Sequence, residues 1–167
     1  MFTTIEEFTS CWTQEAESTR KMFAQLTDAS LGQAVESGGR TLGRMAWHVT
    51  LSIPEMMSHT GLTVGSLEID APLPASAKEI LQAYQEVSIA LLDQIQKHWK
   101  DETLQIIDDM YGERWKRGFT LTALVHHQIH HRGQMTVLMR QAGLRVPGVY
   151  GPAREEWAAW QMPEPAV

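Results

Sequence analysis

The chain contains a single cysteine, Cys11, among its 167 residues. No disulfide can therefore form within the chain, which is typical of proteins from a reducing compartment, and we expect a cytoplasmic location. Cys11 lies in a helical apolar pattern. We interpret it as a buried packing residue rather than as a catalytic nucleophile.

Long apolar runs and an excess of basic residues are also missing. No apolar run approaches the length that spans a bilayer, and residues 1–7 lack the basic and then apolar order of a signal peptide, so we expect no membrane partner. The 14 Lys and Arg residues are outnumbered by 20 Asp and Glu residues, giving a net charge of −6 at pH 7. Because no broad basic surface is available, we expect no nucleic-acid partner.

Apolar residues instead recur at the three- and four-residue spacing of helices, and this pattern predicts one domain over residues 1–167. The predicted fold class is all-α, a four-helix bundle with a short C-terminal helix. The predicted helices cover residues 5–26, 41–60, 76–99 and 120–141, with the short helix at 154–160.

Local signals refine these boundaries. Thr4 with Glu7, and Ser76 with Glu79, have the spacing of a capping box at a helix start. Residues 101–119 fit either a hairpin that turns near Tyr111 or a long irregular loop. Residues 161–167 contain two prolines, and we expect them to be mobile.

Histidine is concentrated in the fourth predicted helix. His126, His127, His130 and His131 lie within six consecutive residues, and neutral imidazole is the commonest metal-binding side chain. At about 100° per residue, His131 falls in the middle of the apolar stripe of this helix and His127 near its edge. The other two point away, so His127 and His131 are the predicted ligand pair. The alternative is that all four are surface or hydrogen-bonded core histidines.

Two protein ligands are too few for a tight site, so a third ligand is expected from another helix. His48 is the best candidate because it lies among apolar residues that recur at helical spacing in the second predicted helix. Glu55 lies two turns further along the helix on nearly the same face. It can be interpreted as an outer carboxylate of the site, as an acid–base group or as a surface residue. His59 and His98 are interpreted as exposed.

These residues carry a resemblance to a known family. Trp47-His48, the stretch His127–Gln134 and the segment Pro147–Pro152 together resemble the DinB/YfiT-like superfamily, over nearly the whole chain. The resemblance implies a four-helix bundle that holds one divalent metal ion per chain, nickel or zinc with manganese or iron as alternatives. Carried over by position, the implied metal ligands are His48, His127 and His131.

Three imidazole ligands leave a coordination position open, as in reactive metal sites. Two enzyme hypotheses follow: transfer of a low-molecular-weight thiol to a small electrophilic substrate, and metal-assisted hydrolysis. The resemblance favours thiol transfer, since some members of the superfamily are thiol-dependent S-transferases. The third hypothesis is a non-catalytic protein whose metal stabilises the fold or senses a ligand.

The sequence also predicts a homodimer. Members of the superfamily that the chain resembles often pair through their helices. In this chain, Trp157 and Trp160 have no evident place in the core. An exposed apolar patch usually marks a contact surface, and symmetric pairing is the commonest way to cover one. The alternative is that these residues pack back over the bundle as a lid.

Overall fold

Helices dominate the structure, a computed structural model that describes residues 1–164 and residue 166. In this part of the chain the all-α prediction is confirmed, because the long elements are four α-helices and the sheet is a single two-stranded hairpin. The predicted mobility of residues 161–167 includes Pro165 and Val167, which lie outside the described residues. The α-helices are α1 (Ile5–Phe23), α2 (Leu42–Ser58), α3 (Ala77–His98) and α4 (Arg117–Gln141).

The four helices form one bundle. Both α1 and α2 pack against α3 and against α4, so α2 lies beside the helix that carries the paired histidines. Large side chains such as Phe8 and Trp12 of α1 and Tyr84 of α3 are fully buried in the centre. The indole Nε1 of Trp12 donates to Ser88 Oγ at 3.0 Å, which satisfies its polar atom inside the core.

The two predicted helix caps have different outcomes. Thr4 and Glu7 form the predicted capping box at the start of α1. The box predicted for Ser76 and Glu79 is wrong, because Ser76 occupies the N-cap position without a side-chain hydrogen bond. Asp28, distant in sequence, accepts the hydrogen bond of Ala77 N at 2.8 Å instead. This remote carboxylate satisfies a free amide at the helix start, so the local box is not needed.

The uncertain segment before the fourth helix is a hairpin. Strands β1 (Ile107–Met110) and β2 (Glu113–Lys116) pair antiparallel across a two-residue turn. Tyr111 has φ 60° and Gly112 φ 85°, the backbone of a tight hairpin turn whose twist matches its strands. α4 begins directly after β2, three residues before the predicted start, so no loop separates hairpin from helix.

The remaining described elements are short 3-10 helices at Asp28–Ser30, Asp101–Gln105 and Arg154–Trp160. The last of these is the expected short C-terminal helix. Cys11 is only half-buried, although it packs against the core as predicted. Among the described residues, no helix has both the length and the apolar character needed to cross a membrane.

Candidate metal centre

His48, His127 and His131 come together between α2 and α4, as the sequence predicts. His48 Nε2 lies 3.0 Å from His127 Nε2, and His131 Nε2 lies 3.1 Å from the same atom. One ligand nitrogen from each ring lies within 4.8 Å of the other two. Two nitrogens bound to one ion at about 2.0–2.1 Å are separated by about 2.9–3.4 Å. The spacing of the three rings therefore fits a single divalent ion.

The other four histidines lie outside this cluster. His126 and His130 of α4 are exposed, in agreement with the predicted orientation of that helix. His59 and His98 are exposed near helix ends, also as predicted. The ring centroid of His130 lies 5.0 Å from that of His131.

A neighbour on α4 fixes the orientation of His131. The Nδ1 atom of His131 lies 2.7 Å from Gln134 Oε1, which can only accept a hydrogen bond. Nδ1 therefore carries the proton, and the lone pair of Nε2 points to the other two rings. Such outer hydrogen bonds set the tautomer of metal-binding histidines. Gln134 is a part of the site that the histidine pattern alone did not predict, although its three-residue spacing from His131 was a usable signal.

The ring of His127 lacks this kind of support. Its buried Nδ1 atom has no hydrogen-bond partner among the described residues. A bond from Nε2 to an ion would orient the ring without help from Nδ1. The case for His127 as a ligand therefore rests on its Nε2 atom, which lies 3.0 Å from that of His48 and 3.1 Å from that of His131.

The protonation state of the cluster also suits metal binding. Burial, together with the neighbouring His131, lowers the pKa of His48 to about 4, and Arg40 and Arg44 contribute further to this shift. Burial and the adjacent rings lower the pKa of His127 to about 4 as well. Burial is also the main cause of the lowered pKa of His131. The three rings are consequently neutral near pH 7, with their lone pairs free to coordinate.

The histidine cluster borders a cavity of 640 Å³, to which His48 and His127 contribute side chains. Cavities of this size suit small molecules and cofactors. Its wall combines apolar side chains with polar and charged ones. The apolar part consists of Trp47, Leu51, Met56, Ile69, Trp115 and Ala123.

Glu55 lies in the wall of the same cavity rather than on the open helix surface. Its Oε2 accepts a hydrogen bond from the Tyr111 hydroxyl at 2.7 Å, and its Oε1 lies 3.3 Å from His59 Nε2. Burial and the bond to Glu55 raise the pKa of Tyr111, so this hydroxyl keeps its proton and donates it. The hairpin turn thus holds a carboxylate at one end of the cavity. Sequence periodicity could not predict this contact, because it depends on how the hairpin folds over α2.

The fold and the site together define a class: a four-helix bundle with three converging histidines beside a cavity of 640 Å³. The chain belongs to the DinB family, whose model matches residues 1–164. It is similar to the uncharacterized protein YrdA of Bacillus subtilis (strain 168), with 46% identity over 167 residues and 100% of both chains covered.

Solved structures agree with this assignment. A DinB-like protein from Bacillus cereus ATCC 10987 has a TM-score of 0.86 and 49% identity, covering 90% of this chain and 100% of that chain. The DinB-like protein YjoA from Bacillus subtilis has a TM-score of 0.61 at 16% identity, covering 86% of this chain and 97% of that chain. This second likeness concerns the fold alone. The family resemblance drawn from the sequence is thus confirmed.

Proposed function

We propose that the protein is a metal-dependent enzyme that activates a small thiol for attack on a small electrophilic substrate. The observation that carries the proposal is the convergence of His48, His127 and His131 on one point beside the cavity. The ion proposed for this point is nickel or zinc, with manganese or iron as alternatives, at one per chain. The chemistry that such an ion supplies is Lewis acidity, which lowers the pKa of a thiol or of water at the site.

The position of the cluster supports a reactive site over a structural one. Structural zinc sites are usually closed by four protein ligands, whereas three histidines leave room for a further ligand. His48 and His127 both contribute to the cavity wall, so that room faces a space large enough for a small molecule. A thiol cosubstrate also suits the proposed cytoplasmic setting, where thiols remain reduced.

Glu55 is the residue that we propose for proton transfer. Its carboxylate lies in the cavity wall, and Tyr111 and His59 hold its two oxygens in place. Because Glu55 lies about 10 Å along the α2 axis from His48, it would exchange protons with a thiol or water at the ion through an intervening water molecule rather than by direct contact, and it would return the proton to a leaving group. Glu55→Gln should therefore reduce turnover while the metal content remains at one ion per chain.

Metal analysis of histidine variants tests the centre of the proposal. We expect His127→Ala and His131→Ala to abolish stoichiometric metal binding, because each removes one of three ligands. His126→Ala is the matched control, since His126 lies on the same helix but is exposed outside the cluster. Metal loss in the His126 variant with retention in the His127 variant would contradict the ligand assignment.

Comparison of metal-loaded and metal-stripped protein separates the functional alternatives. A catalytic ion should be required for thiol transfer or for hydrolysis while the fold survives its removal. A structural ion should be required for stability, so that chelation lowers the melting temperature sharply. Turnover of electrophiles only when a thiol is present favours the transferase, and turnover in water alone favours the hydrolase.

A further inference from the structure

Two arginines line the cavity that borders the histidine cluster. Arg40 immediately precedes the N-cap residue of α2, and Arg44 lies in its first turn. Neither guanidinium has a carboxylate partner among the described residues, although the chain carries more acidic than basic side chains. By contrast, Arg117 and Arg132 are held by Asp108 and Glu15. The cavity thus has two cationic groups that the described protein leaves unneutralised.

The positions of charged residues along α2 give the two ends of the cavity opposite charges. Arg44 is four residues before His48, so the two side chains lie on one face about 6 Å apart along the helix axis. Glu55 lies seven residues beyond His48, about 10 Å along the axis in the other direction. All of these residues line the cavity. The cavity therefore has a cationic end, the histidine cluster beside its middle and a carboxylate at the far end.

The charge balance of the cavity favours an anion. The three neutral imidazoles contribute no negative charge, so a divalent ion held by them would keep both of its positive charges. Arg40 and Arg44 add two more on one side of His48, and all three residues line the same cavity. Glu55 supplies one negative charge, at the opposite end. A ligand that is itself negative near the arginines would compensate this excess.

We propose that the cavity recognises a small organic anion, whose carboxylate lies at the Arg40–Arg44 end while its reactive atom lies at the histidine cluster. The inference rests on the proposed function and adds a substrate class to it. The apolar wall formed by Trp47, Leu51 and Trp115 suits a short carbon chain between the two ends. Planar, forked guanidinium groups bind carboxylates in two-pronged pairs, which makes arginine suited to this role.

Three thiols of similar length and different charge test the proposal on nickel-loaded protein. The probes are 3-mercaptopropionate, 2-mercaptoethanol and cysteamine, which are negative, neutral and positive. Calorimetry measures the affinity for each probe, and the thiolate-to-nickel absorption band reports whether its sulfur reaches the ion. The variants are Arg40→Gln, Arg44→Gln and the double variant. Arg114→Gln is the control, because Arg114 is an exposed arginine that does not line the cavity.

We expect wild-type protein to bind 3-mercaptopropionate about tenfold more tightly than 2-mercaptoethanol, and cysteamine most weakly. The double variant should lose this order while its affinity for 2-mercaptoethanol and its nickel content stay unchanged. Arg114→Gln should preserve the order. Both arginines are exposed, so circular dichroism should show folded protein in every variant.

The outcomes separate this inference from the proposed function. A charge preference that depends on Arg40 and Arg44 but produces no absorption band supports the anion site and counts against thiol activation. A band with all three thiols and no charge preference supports thiol activation and overturns the anion site. The anion site is also overturned if 3-mercaptopropionate does not bind. It is overturned as well if the Arg40, Arg44 and Arg114 changes have equal effects, because equal effects would reflect the net charge of the protein alone.

Discussion

Gln134 determines which nitrogen of His131 is available to a metal. Replacing Gln134 should therefore weaken metal binding through its effect on the His131 ring. In Gln134→Ala the 2.7 Å contact with Nδ1 disappears, and the ring is free to rotate or to change tautomer. We expect metal affinity to fall by about 10- to 100-fold, with one ion still bound at saturation. A competition titration against a chelator measures this change.

Gln141→Ala is the matched control for that variant. Gln141 is also an exposed glutamine of α4, but it lies at the C-terminal end of the helix, away from the cluster. Its replacement should leave the affinity unchanged. Equal affinities for the Gln134 variant and wild-type protein would show that Gln134 does not support the site.

The half-buried imidazoles of His48 and His127 give the metal-stripped protein a specific pH dependence. Burial lowers the pKa of His48 and of His127 to about 4 in the folded state, whereas a histidine in an unfolded chain titrates near about 6.5. Between these values the unfolded chain binds protons that the folded chain does not. The free energy of unfolding should therefore be constant with respect to these groups above about pH 6.5 and fall as the pH drops toward about 4.

Urea denaturation of stripped protein at a series of pH values measures this dependence. The double variant His48→Gln/His127→Gln lacks both groups and serves as the comparison. Its stability should decline less steeply between pH 6.5 and 4 than that of wild-type protein. Parallel curves for the two proteins would contradict the assignment of the lowered pKa values to these rings.

At the scale of elements, the clustered histidines could be predicted from the sequence because helical periodicity relates spacing directly to side-chain direction. His131 is buried and His126 exposed, as the apolar stripe of the helix predicts. Contacts between elements could not be predicted from the sequence in this way. The bond from Tyr111 to Glu55 joins the hairpin to α2, and Asp28 caps α3 from a distant segment. Both depend on tertiary packing, which no local pattern encodes.

At the junction between the hairpin and α4, steric packing and helix propensity have opposite effects on the stability of one variant. A Cβ atom at Gly118 would collide with the backbone carbonyl oxygen of Phe2. The amide of Phe2 also donates to Gly118 O at 3.3 Å and to Thr122 Oγ1 at 3.2 Å, which holds this segment in place. Gly118→Ala should therefore destabilise the protein by about 1–3 kcal/mol, although alanine favours helix more than glycine does.

Gly133→Ala is the control within the same helix. A Cβ atom at Gly133 meets no atom within 4 Å. This variant should be more stable than wild-type protein by about 0.5–1 kcal/mol, because only helix propensity acts there. Denaturant unfolding of both variants measures the contrast. A stabilised Gly118 variant would mean that the N-terminal segment does not pack on α4 as described.

At the scale of the whole molecule, a polar network around the buried Arg132 joins α1 and the C-terminal segment to α4, the helix that carries His127 and His131. Arg132, next to His131 of the histidine cluster, is 3% exposed and pairs with the carboxylate of Glu15 on α1. It also donates to Thr19 Oγ1 at 3.0 Å and to the Tyr150 hydroxyl at 2.6 Å. Since an unpaired buried charge is costly, these contacts fix α4 relative to α1 and to the C-terminal segment. The arginine that follows His131 in the sequence thus holds in place the helix that carries His127 and His131.

The same C-terminal segment carries the basis for the predicted homodimer. Trp157 is half-buried, as a lid residue would be, whereas Trp160 is 62% exposed and Met162 50% exposed. The side chains of Trp160 and Met162 are therefore not covered by their own bundle. Two copies that pair through this face would remove both side chains from water. We expect sedimentation at micromolar concentration to show a dimer, and Trp160→Ser to shift the equilibrium toward monomer.

Val35→Ser is the control for that measurement, because Val35 is 67% exposed but lies in the connection between α1 and α2. It should leave the dimer intact. A single species of monomer mass for wild-type protein would contradict the prediction, and a dimer equally stable in both variants would move the interface away from Trp160. Metal binding by the histidine cluster should not depend on the oligomeric state. His48, His127 and His131 all come from one chain, so metal content per chain should be the same in monomer and dimer.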